Sequence, residues 1–352
     1  MDIADTNDED NNGVPYFDLK DAIYYILSGM QSIGNDKFTE CFTAHKVKPW
    51  TQSWYNKIIW FVALIVRYCI LFPIRAIIWH SYLLFVALCL PLTVIFPQSI
   101  RVRIQRFLFI GLSHVTAVAT SAVIRVHGNM PARKANQIYV ANHSSIIDYV
   151  MLMNVTPFAC VGAYQPGIIG FIENNLAKSV NCLFLDRSSA KDRGAITSNL
   201  KDHIQHPEYC PMLIFPEGTC VNNKYCIMFK KGAFCLDAEV CPIVLKYDLD
   251  FCDAYWNSKQ YGFYTYLLGL FASWALVLDI TFLDPQTQKE GETSTAFACR
   301  VRDQIAEVGG FQVRDFDGYF KHQRPGQHYV EQQRAQFYNK LYGIEDSSSQ
   351  QD

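Results

Sequence analysis

The sequence predicts a mixed α/β fold, with helices flanking a largely buried sheet and a membrane-inserted helical hairpin on the N-terminal side. Short apolar runs with strand character recur between residues 124 and 283 and alternate with longer runs of helical periodicity. Strands that alternate with helices are typical of α/β domains. Half of all residues are apolar and only 18% are charged, so the chain is richer in apolar residues than an average soluble domain.

The predicted elements of the α/β domain follow one another in a regular order. Strands are expected at residues 124–127, 138–141, 182–186, 212–215, 243–247 and 276–283. Helices are expected at residues 145–154, 168–180, 189–206 and 294–308. Two further charge-free runs, residues 107–124 and 260–278, contain polar side chains or run into a strand pattern. We interpret both as core or interfacial helices of the same domain.

The segment on the N-terminal side of that domain decides where the protein is located. Residues 76–97 carry no Lys, Arg, Asp or Glu, and as a helix they would reach about 33 Å, enough to cross a hydrocarbon core of about 30 Å. Pro73 should break the helix, and Arg67 and Arg75 near that turn indicate shallow insertion. Basic residues on both sides favour a hairpin that returns to the cytosolic face. These residues are Lys46, Lys48, Lys57, Arg101, Arg103 and Arg106. A single true span is the alternative.

These segments divide the chain into successive regions. We expect a disordered acidic tail (1–14), a helical and amphipathic region (15–57), the membrane hairpin (58–97), the α/β domain (98–325), and a C-terminal helix and tail (326–352). The first residues are acidic and not basic, the reverse of the start of a signal peptide, so no cleavable signal is expected.

Composition argues against several classes of protein. A net charge of −2 gives no electrostatic support for a nucleic-acid partner. The cysteines show neither a CxxC pair nor zinc-ligand spacing, so we interpret them as reduced thiols of a protein that faces the cytosol. Since the sequence also lacks HExxH and any carboxylate cluster of suitable spacing, neither a metal nor a bound cofactor is predicted.

Two polar motifs each follow a predicted strand. Residues 142–148 place His143 five positions before Asp148, and residues 215–219 read Phe-Pro-Glu-Gly-Thr. We find no serine or cysteine nucleophile with them, which suits direct attack by a substrate hydroxyl, with His143 taking the proton and Asp148 fixing its tautomer. The alternative is a helix-capping loop, in which a serine caps the next helix and Asp148 lies near the positive end of that helix.

The order of four segments carries a resemblance to a known family. They are the His–Asp motif, an apolar run that ends at Arg187, the Phe-Pro-Glu-Gly-Thr motif, and an apolar run with Pro242. In this order they resemble the motifs of glycerolipid acyltransferases of the lysophosphatidate-acyltransferase superfamily. The longer text, over about residues 65 to 325, is most similar to glycerol-3-phosphate acyltransferases of the endoplasmic reticulum, especially the plant and algal type. One departure is Cys220, where many bacterial members have Arg. That departure weakens any phosphate-binding role at position 220.

The resemblance implies transfer of an acyl chain from acyl-CoA, a co-substrate, to the sn-1 hydroxyl of glycerol-3-phosphate, which gives lysophosphatidic acid. It also implies an endoplasmic-reticulum membrane protein in contact with lipid, with the catalytic domain in the cytosol. The sequons at Asn142 and Asn154 support the cytosolic side, because a sugar on Asn142 would block His143; the alternative is that both sequons are folded away.

Acyl transfer to such an acceptor also needs groups that hold its phosphate and hydroxyls. We expect Arg187 to bind the phosphate, although it could instead pair with a neighbouring aspartate. Glu217 is expected to accept a hydrogen bond from a glycerol hydroxyl or to pair with Arg187, and Gly218 to let the backbone approach closely. Other substrate-binding candidates are Thr219, Lys230 and Lys231, the lysines being available to phosphate or coenzyme A unless they are simply solvated.

Alternative functions stay open at this point. The same chemistry would serve a lysophospholipid acyltransferase, and only the wider resemblance favours glycerol-3-phosphate as acceptor. A non-catalytic membrane scaffold that kept the fold would have no need of an intact set of site residues. A hydrolase is disfavoured, because the sequence contains no GxSxG motif.

Overall fold

The computed structural model describes most of the chain. The described residues are 19–34, 37–44, 53–164, 167–185, 190–322, 326, 327, 330, 331, 334, 335 and 338. The chain divides into two compact units, Met1–Glu40 with Arg324–Asp352, and Cys41–Gln323. In the first unit, helix α1 (Leu19–Gly34) exposes apolar side chains that include Leu19, Ile23 and Leu27. A short helix, α2 (Lys37–Cys41), follows.

The second unit begins with a long apolar helical stretch. Helix α3 (Trp54–Ile65) passes through a π-helical turn (Val66–Leu71) into α4 (Phe72–Leu92), and a 3₁₀ turn (Thr93–Ile95) ends it. By length and composition, the 42 residues of Trp54–Ile95 are long and apolar enough to cross a membrane.

The position of the hairpin turn differs from our expectation. The helix does not break at Pro73: it runs on from the π-helical turn Val66–Leu71, and both Leu71 and Phe72 keep helical backbone angles. The chain reverses at residues 93–97 instead, and α5 (Gln98–Ala119) returns along α4, to which it is joined by a hydrogen bond from Trp79 Nε1 to Thr116 Oγ1. The predicted hairpin at 58–97 is therefore wrong in its turn, and α4 and α5 form the two arms.

The two arginines of this stretch have specific partners in the α/β domain. Arg67 Nε donates to the carbonyl of Ala272 at 2.6 Å, and Arg75 Nη1 donates to that of Phe271 at 2.9 Å. Arg75 is only 5% exposed. We had expected both arginines to mark the turn of a shallow hairpin. Instead, backbone carbonyls of the α/β domain bind both guanidinium groups.

The α/β domain contains a seven-stranded sheet. Its strands are β1 (Ala122–His127), β2 (Gln137–Ala141), β3 (Ala159–Ala163), β4 (Leu183–Leu185), β5 (Met212–Ile214), β7 (Glu239–Tyr247) and β8 (Leu276–Phe282). The order is β1-β8-β7-β2-β5-β3-β4, parallel at every step except β7–β8, which is antiparallel. Strands β6 (Tyr225–Cys226) and β9 (Gln312–Val313) form a separate parallel pair. The predicted mixed sheet is confirmed.

Helices cover both faces of this sheet. They are α6 (Ile147–Leu152), α7 (Gly167–Asn175), α8 (Ala190–Gln205), α9 (Phe263–Phe271) and α10 (Ser294–Gly309). Strand β2 shows the consequence: Ile138 packs in the core cluster that contains α10, and Tyr139 packs in the cluster that contains α9. All five residues of β2 are buried, so its carboxyl end is held from both sides.

The sequence missed some strands. Strand β3 is short and contains Gly162 and two alanines, so it lacks the β-branched pattern that marks the other strands. The two-residue strands β6 and β9 are too short for any periodicity. The division of the chain into the regions named above stays a prediction.

Candidate active site

The residue that follows β2 fixes the start of the site. Asn142 donates through Nδ2 to the carbonyl of Leu245 at 2.9 Å and accepts through Oδ1 from the amide of Leu245 at 2.8 Å. The side-chain amide thus forms the pair of hydrogen bonds that a backbone peptide of an adjacent strand would form, and it connects the end of β2 to β7. Since Asn142 is only 3% exposed, its sequon is folded away and says nothing about the side of the membrane.

The His143 loop (residues 142–146) carries the predicted pair in direct contact. His143 Nδ1 lies 3.0 Å from Asp148 Oδ2, which also accepts from the amides of Ser144 and Ser145 at 2.6 and 2.9 Å. Tyr247 donates its hydroxyl to Asp148 Oδ1 at 2.6 Å. These donors compensate the charge of a fully buried carboxylate. With an acceptor at Nδ1, the network assigns the proton of neutral His143 to Nδ1 and leaves a lone pair on Nε2.

Two further groups keep this arrangement in one state. Burial and the neighbouring Asp148 raise the pKa of Tyr247 well above its usual value, so the phenol stays a donor. Asn223 donates to Ser144 Oγ at 3.0 Å and accepts from the amide of Tyr247 at 2.7 Å. It therefore connects two residues, Ser144 and Tyr247, that both donate to Asp148.

The helix-capping alternative describes only part of this loop. Ser145 Oγ accepts from the amide of Ile147 at 3.0 Å, so a serine does cap the start of α6. Capping does not require the bond from His143 to Asp148 or the phenol of Tyr247. The loop therefore starts a helix and orients an imidazole at the same time.

Glu217 is buried, and its hydrogen-bond donors include backbone amides of the protein. It is 1% exposed, its Oε2 accepts from the amide of His143 at 2.7 Å, and its Oε1 accepts from the amide of Ile227 at 3.1 Å. Burial raises its pKa to about 7, although the two amides act in the opposite direction. Because both oxygens accept from backbone amides inside the protein, Glu217 braces the His143 loop, and its contact with a glycerol hydroxyl stays a prediction.

The imidazole of His143 lies between the two motifs, against Phe215 and Cys220. Its ring stacks on that of Phe215, with centroids 4.1 Å apart, and Nε2 lies 3.6 Å from Cys220 Sγ. Burial lowers the pKa of His143, whereas the neighbouring Cys220 and Asp148 raise it, and the raising effects are the larger. His143 is thus a stronger proton acceptor than a free imidazole.

The Glu217 loop (residues 215–221) turns sharply at Gly218. Its φ of +67° is in the left-handed region, and a Cβ there would lie 3.2 Å from Lys230 Cε. Thr219 Oγ1 lies 3.2 Å from His322 Nε2 and is nearly buried. Glycine is therefore required by backbone conformation as well as by the neighbouring side chain.

The predicted cationic residues that the structure describes, Lys230 and Lys231, are exposed. Lys230 is exposed, and its Nζ lies 3.5 Å from Asp317 Oδ1. Lys231 is exposed at the start of a 3₁₀ turn. Arg187 lies outside the described residues. In the part of the chain that the structure describes, no group of three His, Cys, Asp or Glu side chains could hold a metal ion.

Sequence reasoning missed other residues that surround His143. Lys321 is 2% exposed, donates to the carbonyl of Cys220 at 2.8 Å, and lies between the rings of Phe42 and Tyr255. Burial lowers its pKa to about 8, with Lys259 adding to the effect and Cys220 opposing it. Cys220 could have been found from its position next to the Phe-Pro-Glu-Gly-Thr motif. Lys321 is about a hundred residues away and carries no such signal.

Comparisons with known proteins show what the chain is similar to. A family model described as Acyltransferase matches residues 123–246. The chain is 35% identical over 345 residues to Glycerol-3-phosphate acyltransferase 3-like of Danio rerio, covering 94% of this chain and 77% of the relative. It is 32% identical over 350 residues to Glycerol-3-phosphate acyltransferase 4 of Mus musculus, covering 95% and 76%. The structure of the 1-acyl-sn-glycerophosphate (LPA) acyltransferase PlsC from Thermotoga maritima is 18% identical, with a TM-score of 0.43, covering 72% and 97%. Given its identity to relatives over almost its whole length, the chain belongs to the glycerol-3-phosphate acyltransferase family.

Proposed function

We propose that this protein transfers an acyl chain from acyl-CoA to the sn-1 hydroxyl of glycerol-3-phosphate and so forms lysophosphatidic acid. The observation that carries the proposal is the bond between His143 Nδ1 and Asp148 Oδ2, which leaves Nε2 as the proton acceptor of the site. The relatives named as glycerol-3-phosphate acyltransferases support this choice of acceptor.

In this reaction His143 acts as general base. Its Nε2 takes the proton of the acceptor hydroxyl as the oxygen attacks the acyl carbonyl, and the proton is then passed to the departing thiolate. Asp148 keeps Nδ1 protonated and stabilises the imidazolium without itself taking the proton. Tyr247 and the amides of the His143 loop hold the carboxylate in place. No resident cofactor takes part, because acyl-CoA already carries the activated acyl group.

The phosphate of the acceptor is assigned to Arg187, whose planar guanidinium suits phosphate oxygens. Lys230 and Lys231 are the second choice for the phosphate or for coenzyme A. The pair between Lys230 and Asp317 is exposed, so the lysine can leave it at little cost.

Membrane association is part of the proposal. The apolar stretch Trp54–Ile95 supports it. We place the protein in the endoplasmic-reticulum membrane with its α/β domain in the cytosol, where acyl-CoA and glycerol-3-phosphate are found. A tag after Asp352, on intact microsomes, should be digested by added protease without detergent. Protection of the tag until detergent is added would place the domain in the lumen and contradict the assignment.

The acceptor is tested directly with purified full-length protein. Labelled acyl-CoA is supplied with glycerol-3-phosphate or with a panel of lysophospholipids, and His143→Ala serves as the inactive control. We expect glycerol-3-phosphate to have the highest kcat/KM. A higher kcat/KM for 1-acyl-glycerol-3-phosphate would make the protein a lysophospholipid acyltransferase, and no transfer to any acceptor would favour a scaffold.

A further inference from the structure

We infer that Lys321 is a positioning residue for acyl transfer, and that it holds the base His143 in place through the peptide bond between Cys220 and Val221. The inference rests on the proposed function, because it assigns a role to a residue beside the same base. No sequence motif marks this lysine, which follows Cys220 by 101 positions.

The first observation is a buried charge without a carboxylate partner. Lys321 is 2% exposed, and its ammonium lies between the rings of Phe42 and Tyr255, 5.1 and 5.2 Å from their centroids. Its hydrogen-bond acceptor is the carbonyl of Cys220 at 2.8 Å, and no carboxylate pairs with it among the residues that the structure describes. An apolar side chain of similar length would fill this space without the cost of burying a charge. The ammonium therefore points to a role at that carbonyl.

The carbonyl that Lys321 binds belongs to a peptide unit that also holds the base. The same unit contributes the amide of Val221, which donates to the carbonyl of His143 at 2.8 Å. A cation bound to a carbonyl polarises the peptide and makes its N–H a stronger donor. Two hydrogen bonds, joined by the peptide between Cys220 and Val221, thus connect the buried ammonium to the backbone of the base.

The bond from Val221 is one of two by which the Glu217 loop holds the backbone of His143. The amide of His143 donates to Glu217 Oε2 at 2.7 Å, and its carbonyl accepts from Val221. The imidazole also stacks on Phe215 of the same loop. The Glu217 loop therefore sets the position of the base, and an error of about 1 Å in such a position can cost about 10²-fold in rate.

The turn that carries Lys321 packs directly on the Glu217 loop. A Cβ at Gly318 would lie 2.8 Å from the carbonyl oxygen of Glu217, so the two backbones are in close contact. Lys321 and the two rings around it all lie outside residues 123–246, the part of the chain that the family model matches. The base is thus held in part by segments that flank the matched domain.

The charge of Lys321 gives this contact a pH dependence. Burial lowers the pKa of Lys321 to about 8, the charge of Lys259 adds to this effect, and Cys220 opposes it. Of the two rings against the ammonium, that of Phe42 cannot titrate, and that of Tyr255 stays neutral because burial raises the pKa of its phenol. As pH rises through about 8, the ammonium loses its proton, and a charge-assisted bond becomes a weaker neutral one. The kcat should therefore fall above that pH.

The test uses purified full-length protein with labelled acyl-CoA and glycerol-3-phosphate. Lys321→Met keeps an unbranched side chain between the two rings and removes the ammonium. We expect kcat to fall by about 10- to 100-fold while both KM values stay within about threefold of wild type, because the base is displaced and the substrate sites are kept. Lys259→Met is the matched control, since this lysine is exposed and acts on the pKa of Lys321 alone; it should leave kcat at pH 7 unchanged.

The pH profile of kcat supplies a readout that a purely structural role would not change. Wild-type kcat should decline above about pH 8, and Lys321→Met should lack this decline. Lys259→Met should shift the decline to higher pH, because the charge of Lys259 lowers the pKa of Lys321. Thiols ionise in the same pH range, so Cys220→Ser is included, and it should keep the decline.

The outcomes separate this inference from the proposed function. A folded Lys321→Met variant with kcat within about threefold of wild type, or with its loss confined to KM, would overturn the inference. A wild-type kcat that stays constant between about pH 7 and pH 9 would also overturn it, and this measurement decides the matter even if Lys321→Met fails to fold. If wild-type protein prefers a lysophospholipid acceptor, the proposed function is wrong, and the same comparison with that acceptor decides the role of Lys321.

Discussion

Asp148, in the first turn of α6 after the His143 loop, and Glu217, in the Glu217 loop, are each at most 1% exposed, yet the two carboxylates have different partners. Asp148 binds an imidazole and a phenol as well as two amides. Glu217 has backbone amides as its hydrogen-bond donors at 2.7 and 3.1 Å. A carboxylate that contacts an ionisable ring can influence a proton transfer, whereas Glu217, held by two backbone amides and the Cys226 thiol, fixes the position of the backbone. Equal burial therefore says little about role, and the donors decide it.

The largest effect is expected from His143→Ala, which removes the ring that Asp148 orients. We expect acyl transfer to fall by about 10²–10⁴-fold, because a positioned general base contributes a factor of that size. The measurement is transfer of labelled acyl chains to glycerol-3-phosphate, with thermal unfolding to show that the variant is folded. A folded variant that retains activity within about tenfold of wild type would remove His143 from the mechanism.

Asp148→Asn tests the carboxylate side of the comparison while keeping its shape. Transfer should fall by about 10²–10⁴-fold, since an amide can favour the wrong tautomer of His143. Asp148 raises the pKa of His143, so its loss should lower that pKa. Because the base must be deprotonated, the acid limb of the kcat/KM profile should move to lower pH in the variant. A limb that stays where it is in wild type would show that another group titrates.

Arg187→Ala tests whether the acceptor phosphate lies beside these loops. The KM for glycerol-3-phosphate should rise by about 10- to 100-fold, the value of one or two charge-assisted hydrogen bonds, while the KM for acyl-CoA changes little. Lys230→Ala is the comparison variant, and we expect a smaller change because its pair with Asp317 is exposed. If Lys230→Ala has the greater effect, the phosphate belongs to the lysines.

Glu217→Gln should affect stability more than catalysis. The pKa of Glu217 is raised from 4.5 to about 7, so the folded state binds a proton more tightly than the unfolded state does. Stability should therefore fall as pH rises from 4.5 to about 7, by on the order of 3 kcal/mol, and level off above that. The variant should lack this slope in urea unfolding at a series of pH values. If Glu217→Gln reduces transfer as much as Asp148→Asn does at equal stability, Glu217 contacts the substrate after all.

The smallest effect is expected from Gly218→Ala. The left-handed backbone there should cost an alanine about 1 kcal/mol of unfolding free energy. Gly232→Ala is a matched control, because a Cβ at that glycine meets open space and its backbone is not left-handed. Equal stability of the two variants would show that the Glu217 loop adapts, and would weaken its description as a fixed brace.

The sequence by itself determined the parts of this protein that depend on local order. Strand β2 alternates between two core clusters and ends at Ala141, two residues before His143, and Asp148 follows within the first turn of α6, so one short segment specifies both the base and its carboxylate. The long apolar stretch was visible for the same reason, because periodicity and the absence of charge are local properties.

The tertiary structure decided which distant groups meet. Tyr247 reaches Asp148 across 99 positions of the chain, and Lys321 reaches Cys220 across 101, distances at which no spacing rule applies. The sequence did not show that Glu217 accepts a hydrogen bond from the amide of His143. The two residues meet because β5 lies directly beside β2 in the sheet. The hairpin reverses at residues 93–97 and not at Pro73, because the helix runs on through the π-helical turn that precedes this proline. Side-chain partners are set by strand order and packing, and these are properties of the folded chain as a whole.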